Sequence, residues 1–423
     1  MDLILKHGAV LTMDDACPVL HDAIVGIDGG KIAYLGTQEP PVRASREVDM
    51  RGNLIMPGLI NAHTHVPMTL LRGYADDYAL QTWLFDHVFP IEAKLDARCI
   101  KVGALLGMME QIRCGTTSIS DMYFRLPAIA EAAAQAGIKA NLSNGATYFG
   151  APDQYCFETD SVTAEMNEML ECWHGYDGGR IRLDASVHAE YTSFDGVWRA
   201  TADFARRHDL NVQVHLSETR REHEECVAKY GKTPARLFEE AGLFGVRTTA
   251  AHCVYVSDED MELMARCGVT AAHNPVSNLK LGSGVARVPE LLARGVNVAL
   301  GTDGVCSNNS HDMFEEIKLA AILQKGVRGD PTLLPAWQAL TLATSDLIAI
   351  SLDTPSLVPM HHVASHACYA ASGRDVCLTM VRGKVLYENG EYKTIDFEQI
   401  KHELETYAMP RLFGTSPVKE QSL

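Results

Sequence analysis

The sequence predicts an α/β fold: a (β/α)8 TIM-type barrel with a small β-sandwich domain formed by both chain termini. Three observations lead there. Between about residues 58 and 350, short apolar runs alternate with longer stretches of helical period, and about eight such units imply a closed parallel barrel. Ionisable residues follow the apolar runs at the same relative place, as where strand C-terminal ends build a site. Residues 1–57 and 351–423 instead carry short β-rich runs with Gly-rich turns, the pattern of hairpins.

In the first part, Leu3-Ile-Leu and Ala9-Val-Leu-Thr are β-rich. Ala23-Ile-Val-Gly-Ile, the turn Asp28-Gly-Gly-Lys and Ile32-Ala-Tyr-Leu-Gly read as one hairpin. A similar piece, Val376 to Tyr387 followed by Glu388-Asn-Gly-Glu, returns near the other end. The expected domains are therefore 1–57 as the first half of a β unit, 58–350 as an inserted metal-dependent barrel, and 351–423 as the second half plus a C-terminal helix.

Asn53-Leu-Ile-Met-Pro-Gly-Leu-Ile-Asn-Ala-His63-Thr-His65 joins the two parts. Two histidines at i, i+2 share one face of a strand, and two neutral imidazoles there can share one cation. Alone, the tripeptide is more often a solvated strand end. The following strand candidates change that balance. Ile181 to Val187 is followed by His188 and Glu190, Val212-Gln-Val by His215 and Glu218, and Thr248-Thr-Ala-Ala by His252. Val269-Thr-Ala-Ala leads to His273 and Asn278, and Val296-Asn-Val-Ala-Leu to Asp303. Convergent ionisable groups at one end of a barrel point to a site. Helices are expected between them at Phe194 to Arg207, Thr233 to Ala241 and Asp258 to Arg266.

Composition narrows the function. Formal net charge is −17 with no long acidic tail, which argues against a nucleic-acid partner. The 11 cysteines are odd in number and form no Cys-x-x-Cys pair, so a reduced, cytoplasmic setting is expected, with most of them acting as small buried hydrophobes. Met-Asp-Leu-Ile-Leu-Lys-His does not open as a signal peptide does. No run of about 18 apolar residues predicts a membrane span.

Several longer motifs are similar to the amidohydrolase superfamily, in its branch of aromatic-amine deaminases and triazine hydrolases. They are Pro57-Gly-Leu-Ile-Asn-Ala-His63-Thr-His65, Trp83-Leu with Pro90-Ile-Glu92, Gly115-Thr-Thr-Ser-Ile-Ser-Asp-Met-Tyr, and His215-Leu-Ser-Glu218-Thr. Ala251-His252-Cys-Val, His273-Asn-Pro-Val-Ser-Asn and Gly301-Thr-Asp303-Gly-Val-Cys-Ser307 continue them. The chain most resembles the 5-methylthioadenosine/S-adenosylhomocysteine deaminase family. The resemblance implies that His63, His65, His215 and Asp303 hold one divalent metal, Zn2+ or alternatively Fe2+, a ligand set suited to either. It implies Glu218, His252 and Asp303 as catalytic groups, and Trp83, Glu92, Asn144, His188, Glu218 and Ser307 as substrate contacts. Glu92 would read the ribose diol; without the resemblance, an ion pair with Lys94 or Arg98 explains it equally well.

The implied reaction is hydrolytic loss of the 6-amino group of an adenine nucleoside, in a cytoplasmic homo-oligomer. The alternatives are a free-nucleobase or triazine deaminase or chlorohydrolase on the same scaffold, or, in another class, a non-catalytic scaffold. Three departures from the family pattern stand out. Asn141 to Glu158 contains no Arg or Lys, which favours small neutral 5′ groups over a carboxylate, since carboxylate recognition normally uses a guanidinium. Glu190 replaces a usual Pro. Ala343 to Ile350 runs from the last barrel helix into a strand without the usual Gly-rich link.

Overall fold

The structure, a computed structural model, describes residues 1–414. Four strands open the chain: β1 (Leu3–Leu11), β2 (Val19–Asp28), β3 (Lys31–Gly36) and β4 (Arg46–Asp49). β5 (Leu54–Thr64) follows. The barrel continues through β6 (Thr116–Met122), β7 (Lys139–Ser143), β8 (Ile181–Leu183), β9 (Ala185–Val187), β10 (Val212–Leu216), β11 (Thr248–His252), β12 (Thr270–His273) and β13 (Asn297–Leu300). β14 (Thr344–Ile350), β15 (Val376–Val381), β16 (Lys384–Glu388) and β17 (Glu391–Tyr392) come last.

Both ends of the chain build one β unit, with strand order β17-β16-β15-β14-β5-β1-β2-β3 and β4 beside β1. Leu5, Val25, Ile55, Leu347 and Met380 meet in its own apolar core. Fully burying one such side chain contributes about 1.5–3 kcal/mol. The two ends touch at their turns. Gly30 has φ +77°, and a Cβ there would lie 2.6 Å from the Arg382 carbonyl oxygen, so only glycine permits this approach. The expected runs Leu3–Leu5 and Ala9–Thr12 are a single strand, β1. Its register against β2 shifts between Leu5 and Gly8, where His7 takes φ 55°, as at a bulge.

β5 belongs to both parts. Its first residues pair with β1 and with antiparallel β14; its later ones pair in parallel with β6. Parallel pairing then runs around the barrel through β7 and β8 and from β9 to β13. These strands are short and almost wholly buried, as in a sheet covered on both faces. The single predicted strand Ile181–Val187 is two, because the buried Asp184 between them accepts amide hydrogens from Gln213 (3.0 Å) and Asn211 (3.2 Å).

The seam closes through a Thr64–Asp303 bridge and a reciprocal amide lock. The Asn61 amide donates to the Thr302 hydroxyl at 2.7 Å, and the Thr302 backbone N–H donates to Asn61 Oδ1 at 3.0 Å. The absent Gly-rich link has a simple replacement. After the helix Ala336–Thr341, the Leu342 carbonyl accepts from Leu300 N–H (3.2 Å) and the Ala343 carbonyl from Ile60 N–H (3.0 Å). Residues 342–343 thus bridge β13 and β5 through their backbone before β14 begins.

The expected helices are present as Asp195–Arg207, Pro234–Glu240 and Asp258–Cys267. The C-terminal segment packs Phe397–Glu403 and Met409–Phe413 near the helix Ala97–Arg113, where Arg98 pairs with Glu403 at 2.8 Å. The last residues of the expected final domain, 415–423, lie outside the described residues. Five of the eleven cysteines are buried and all are unpaired, so the expectation that most are buried is too broad. No helix among the described residues is long and apolar enough to cross a membrane.

Candidate active site

β5 delivers His63 and His65 to the barrel mouth, β10 delivers His215, and the turn after β13 delivers Asp303. Asp303 Oδ1 lies 3.1 Å from His65 Nε2 and 3.6 Å from His63 Nε2. His215 Nε2 lies 3.4 Å from His65 Nε2. Donors on a tetrahedral ion with bonds of about 2.1 Å stand about 3.4 Å apart, so these spacings fit a shared cation.

The hydrogen bonds fix which atoms face inward. His65 Nδ1 donates to the Met122 carbonyl at 2.5 Å, and His215 Nδ1 to the His188 carbonyl at 2.7 Å. Each Nε2 is then left as a lone-pair donor, as backbone-anchored metal histidines require. Two lone pairs face each other, and the buried His63 Nε2 has no hydrogen-bond partner. Ser277 (2.6 Å) and Ser307 (2.8 Å) both donate to Asp303 Oδ2, leaving Oδ1 to the imidazoles. Burial alone would raise the Asp303 carboxyl. The imidazoles of His63 and His65 beside it outweigh burial, and the group stays well below its ordinary value. Burial and the neighbouring imidazoles keep His215 well below its own. An orphaned nitrogen, an anionic oxygen and inward-facing imidazole nitrogens suit one divalent ion.

Glu218 and His252 stand beside this group. His252 Nε2 is 3.7 Å from Glu218 Oε2, and Ser283 donates to Glu218 Oε1 at 2.9 Å. Burial raises the Glu218 carboxyl, which is what a proton-carrying acid needs. His252 Nδ1 donates to Asn278 Oδ1 at 2.8 Å, so Nε2 points inward. Positive φ gathers here: Ser217 at 47°, His252 at 72°, Cys253 at 51° and Asp303 at 61°. Non-glycine residues in that region cost free energy and cluster at functional sites.

The mouth opens into a cavity of about 490 Å³ lined by His65, His215, Glu218, His252 and Asp303, and by Trp83, Glu92, Asn144 and His188. That volume suits a nucleoside-sized ligand. Trp83 opens a π-helical turn, Trp83–Val88, which leads into the short helix carrying Glu92. Neither expected cation takes Glu92: Lys94 donates to the Leu412 carbonyl and Arg98 to Glu403. The Tyr123 hydroxyl donates to Glu92 instead, at 2.5 Å. Asn144 donates to the Val162 carbonyl at 3.0 Å, while its buried Oδ1 has no partner. Burial pushes His188 down to about 3, keeping it neutral.

Two expected residues do not line the cavity. His63 sits beneath the cavity with only its Nε2 edge toward the other donors. Ser307 is not on the cavity wall: a turn bonds its N–H to the Gly304 carbonyl and swings the hydroxyl back to Asp303. There the hydroxyl holds the carboxylate oxygen Oδ2. The sequence reading missed Tyr123, Ser277 and Ser283 and gave Asn278 no role. Tyr123 ends a quoted motif and Ser277 and Asn278 lie in another, so their places were available but their partners were not. Ser283 carries no local signal.

Known proteins match this chain over most of its length. The Amidohydrolase family profile matches residues 54–385. A 5-methylthioadenosine/S-adenosylhomocysteine deaminase of Thermoanaerobacter pseudethanolicus is 37% identical, covering 96% of this chain and 99% of that protein. A 5′-deoxyadenosine deaminase of Methanosarcina acetivorans is 39% identical, covering 96% and 98%. An adenosine deaminase structure from Xanthomonas campestris with bound zinc superposes with a TM-score of 0.87 at 31% identity, covering 95% of this chain and 97% of that one. With that profile spanning the barrel and relatives matching end to end, the chain belongs to the amidohydrolase family.

Proposed function

We propose that this chain is a metal-dependent hydrolytic deaminase of adenine nucleosides, with His63, His65, His215 and Asp303 holding one divalent ion, zinc by the donor set. One observation carries the reading: a single cavity has a cation-ready donor cluster with a proton-carrying acid, and Glu92, a carboxylate with no cationic partner. A carboxylate accepting two hydroxyl hydrogens suits a vicinal diol. Trp83 and the uncommitted Asn144 Oδ1 complete the nucleoside wall.

A divalent ion bound there supplies acidification, lowering the pKa of water to about 7. Asp303 takes the first proton from the attacking water, and His252 Nε2 orients that water toward C6. Glu218 gives its proton to the neighbouring ring nitrogen. As the C6–N bond breaks, Asp303 returns its proton to the amino group, which leaves as ammonia. The hydroxyl proton goes back to Glu218 as the carbonyl forms. Both water hydrogens are then accounted for, one in ammonia and one on the ring.

The outer cavity wall revises the expectation about the 5′ group. Arg125, from the loop after β6, lines the cavity and donates through Nε to the Leu95 carbonyl at 3.1 Å. Among the described residues it is the one Arg or Lys lining the cavity, so a carboxylate-bearing tail has a counter-charge that the loop after β7 does not supply. Methylthioadenosine, 5′-deoxyadenosine, adenosine and S-adenosylhomocysteine therefore belong in one test. Zinc-loaded protein is incubated with these nucleosides, free nucleobases and triazines, following ammonia release and the adenine-to-hypoxanthine absorbance change. The nucleosides are expected to react, and Arg125→Gln to weaken S-adenosylhomocysteine selectively. Turnover of triazines or free bases alone would overturn the reading in favour of the same-scaffold alternatives.

A further inference from the structure

Below Glu218 lie two further acids that the mechanism does not use. Glu190 is 2% exposed and Glu222 is 4% exposed. Glu190 stands on the short turn Glu190–Thr192 after β9; Glu222 stands in the first turn of the helix Arg220–Tyr230. Glu222 Oε2 accepts from the backbone N–H of Glu218 at 2.7 Å and of Thr219 at 3.2 Å. The N–H of Glu222 in turn donates to the Thr219 hydroxyl at 3.1 Å. One carboxylate oxygen therefore grips the backbone of the residue assigned as the proton carrier.

The other oxygens are the unusual ones. Glu222 Oε1 and Glu190 Oε2 are buried and accept no hydrogen bond from any donor among the described residues. The turn Glu190–Thr192 packs against the helix Arg220–Tyr230, which brings the two carboxyl groups to face each other. Among the described residues, neither Glu190 nor Glu222 takes part in a salt bridge; the nearest pairs are Arg221 with Glu225 and His252 with Glu218. The groups facing the pair are Tyr191 on the turn, Cys226 and Lys229 on the helix, Glu218 on the loop after β10, and His252 on β11. Only Lys229 is a fixed cation, and it stacks over the Tyr230 ring at 4.7 Å. Two buried acids in contact without a paired cation cannot both ionise.

We infer that Glu190 and Glu222 share one proton, and that Glu190 is a positioning residue for Glu218. The Glu190 hydroxyl donates to Glu222 Oε1, and Glu222 keeps its charge on Oε2, where two backbone N–H groups need it. The pair behaves as one titrating unit. Burial and the Glu222 charge push Glu190 well above the ordinary carboxylate value, and burial and Glu218 push Glu222 up to about 7, in line with a proton retained between them. When it leaves at alkaline pH, repulsion opens the contact and loosens the turn that carries Glu218.

Two variants and two readouts test this. The kinetic arm rests on the deaminase reading; the spectroscopic arm does not. Glu190→Gln keeps an N–H donor to Glu222 without a titrating proton. It should retain neutral-pH kcat, remove one protonated-carboxyl band from the infrared difference spectrum, and turn a two-proton alkaline fall in kcat into a one-proton fall. Glu190→Ala should lower kcat about tenfold with KM little changed, the scale of one lost charge-assisted hydrogen bond. An unchanged infrared band together with an unchanged pH profile in Glu190→Gln would overturn the shared proton. A Glu190→Ala enzyme with wild-type kcat would overturn the positioning role. If no nucleoside is turned over at all, the infrared comparison still decides whether the proton is shared.

Discussion

β5 is one strand with two environments. Its first residues, Leu54, Ile55 and Met56, lie among aliphatic side chains and are each 1% exposed. Its last, His63, is also buried, at 2%, yet its Nε2 has no partner. In the terminal β unit, charges stay near solvent and pair there: Lys6 reaches Glu47 at 2.9 Å, with side chains 20% and 47% exposed. At the mouth, imidazoles and carboxylates are taken out of water and given strained backbone. Desolvated polar groups cost stability unless satisfied, so one end of β5 favours the fold and the other tolerates cost for chemistry. Substitutions at the two ends should therefore fail in different ways.

The largest effect belongs at the mouth. Glu218→Gln should cut kcat by about 10²–10⁴-fold, the range for a lost general acid–base group. Its metal content, measured by atomic emission, should stay at wild type, because Glu218 is not among the proposed ligands. Further from the donor cluster, Glu92→Gln should lower kcat/KM for nucleosides by about 10–100-fold, corresponding to the 1.5–3 kcal/mol of hydrogen bonds to a charged group. Any weak turnover of free adenine should be spared. Equal losses on nucleoside and free base would remove the diol assignment. At the other end of the strand, Ile55→Ala should cost about 2–5 kcal/mol of stability in denaturant titration while leaving kcat nearly unchanged well below the unfolding transition. A large kcat loss there would mean that the two halves of β5 are not separable.

The same contrast explains what could be read in the sequence. The terminal hairpins follow from alternating runs and Gly-rich turns, and the barrel from repeated units. His63, His65, His215, His252 and Asp303 are legible because strand ends put them at equivalent places. What decides their partners is which loops meet over the mouth, and no local pattern records that. Tyr123 directly follows β6, whose Thr, Ser and Asp side chains give no local sign that it is the partner of Glu92. Ser307 looks like a wall residue by its distance from Asp303 in the chain, yet a tight turn folds it back. Arg125 lies outside Asn141 to Glu158, the stretch where a counter-charge was expected, and only the fold brings the loop after β6 to the same cavity. The absent Gly-rich link near 343 looked like a loss, but two backbone carbonyls of residues 342–343 do its work.

The seam has a consequence for the protein's life cycle. The Asp303 N–H donates to the His63 carbonyl at 3.0 Å, and the side chains of these two residues are proposed to hold the ion. The first and last staves of the barrel would then be riveted together by the cofactor itself. A ligand that binds only the folded state stabilises it in proportion to its free concentration. Scarcity of the ion would accordingly silence this protein and also leave its cylinder easier to pry open, so that starved copies are the first to be cleared by proteolysis.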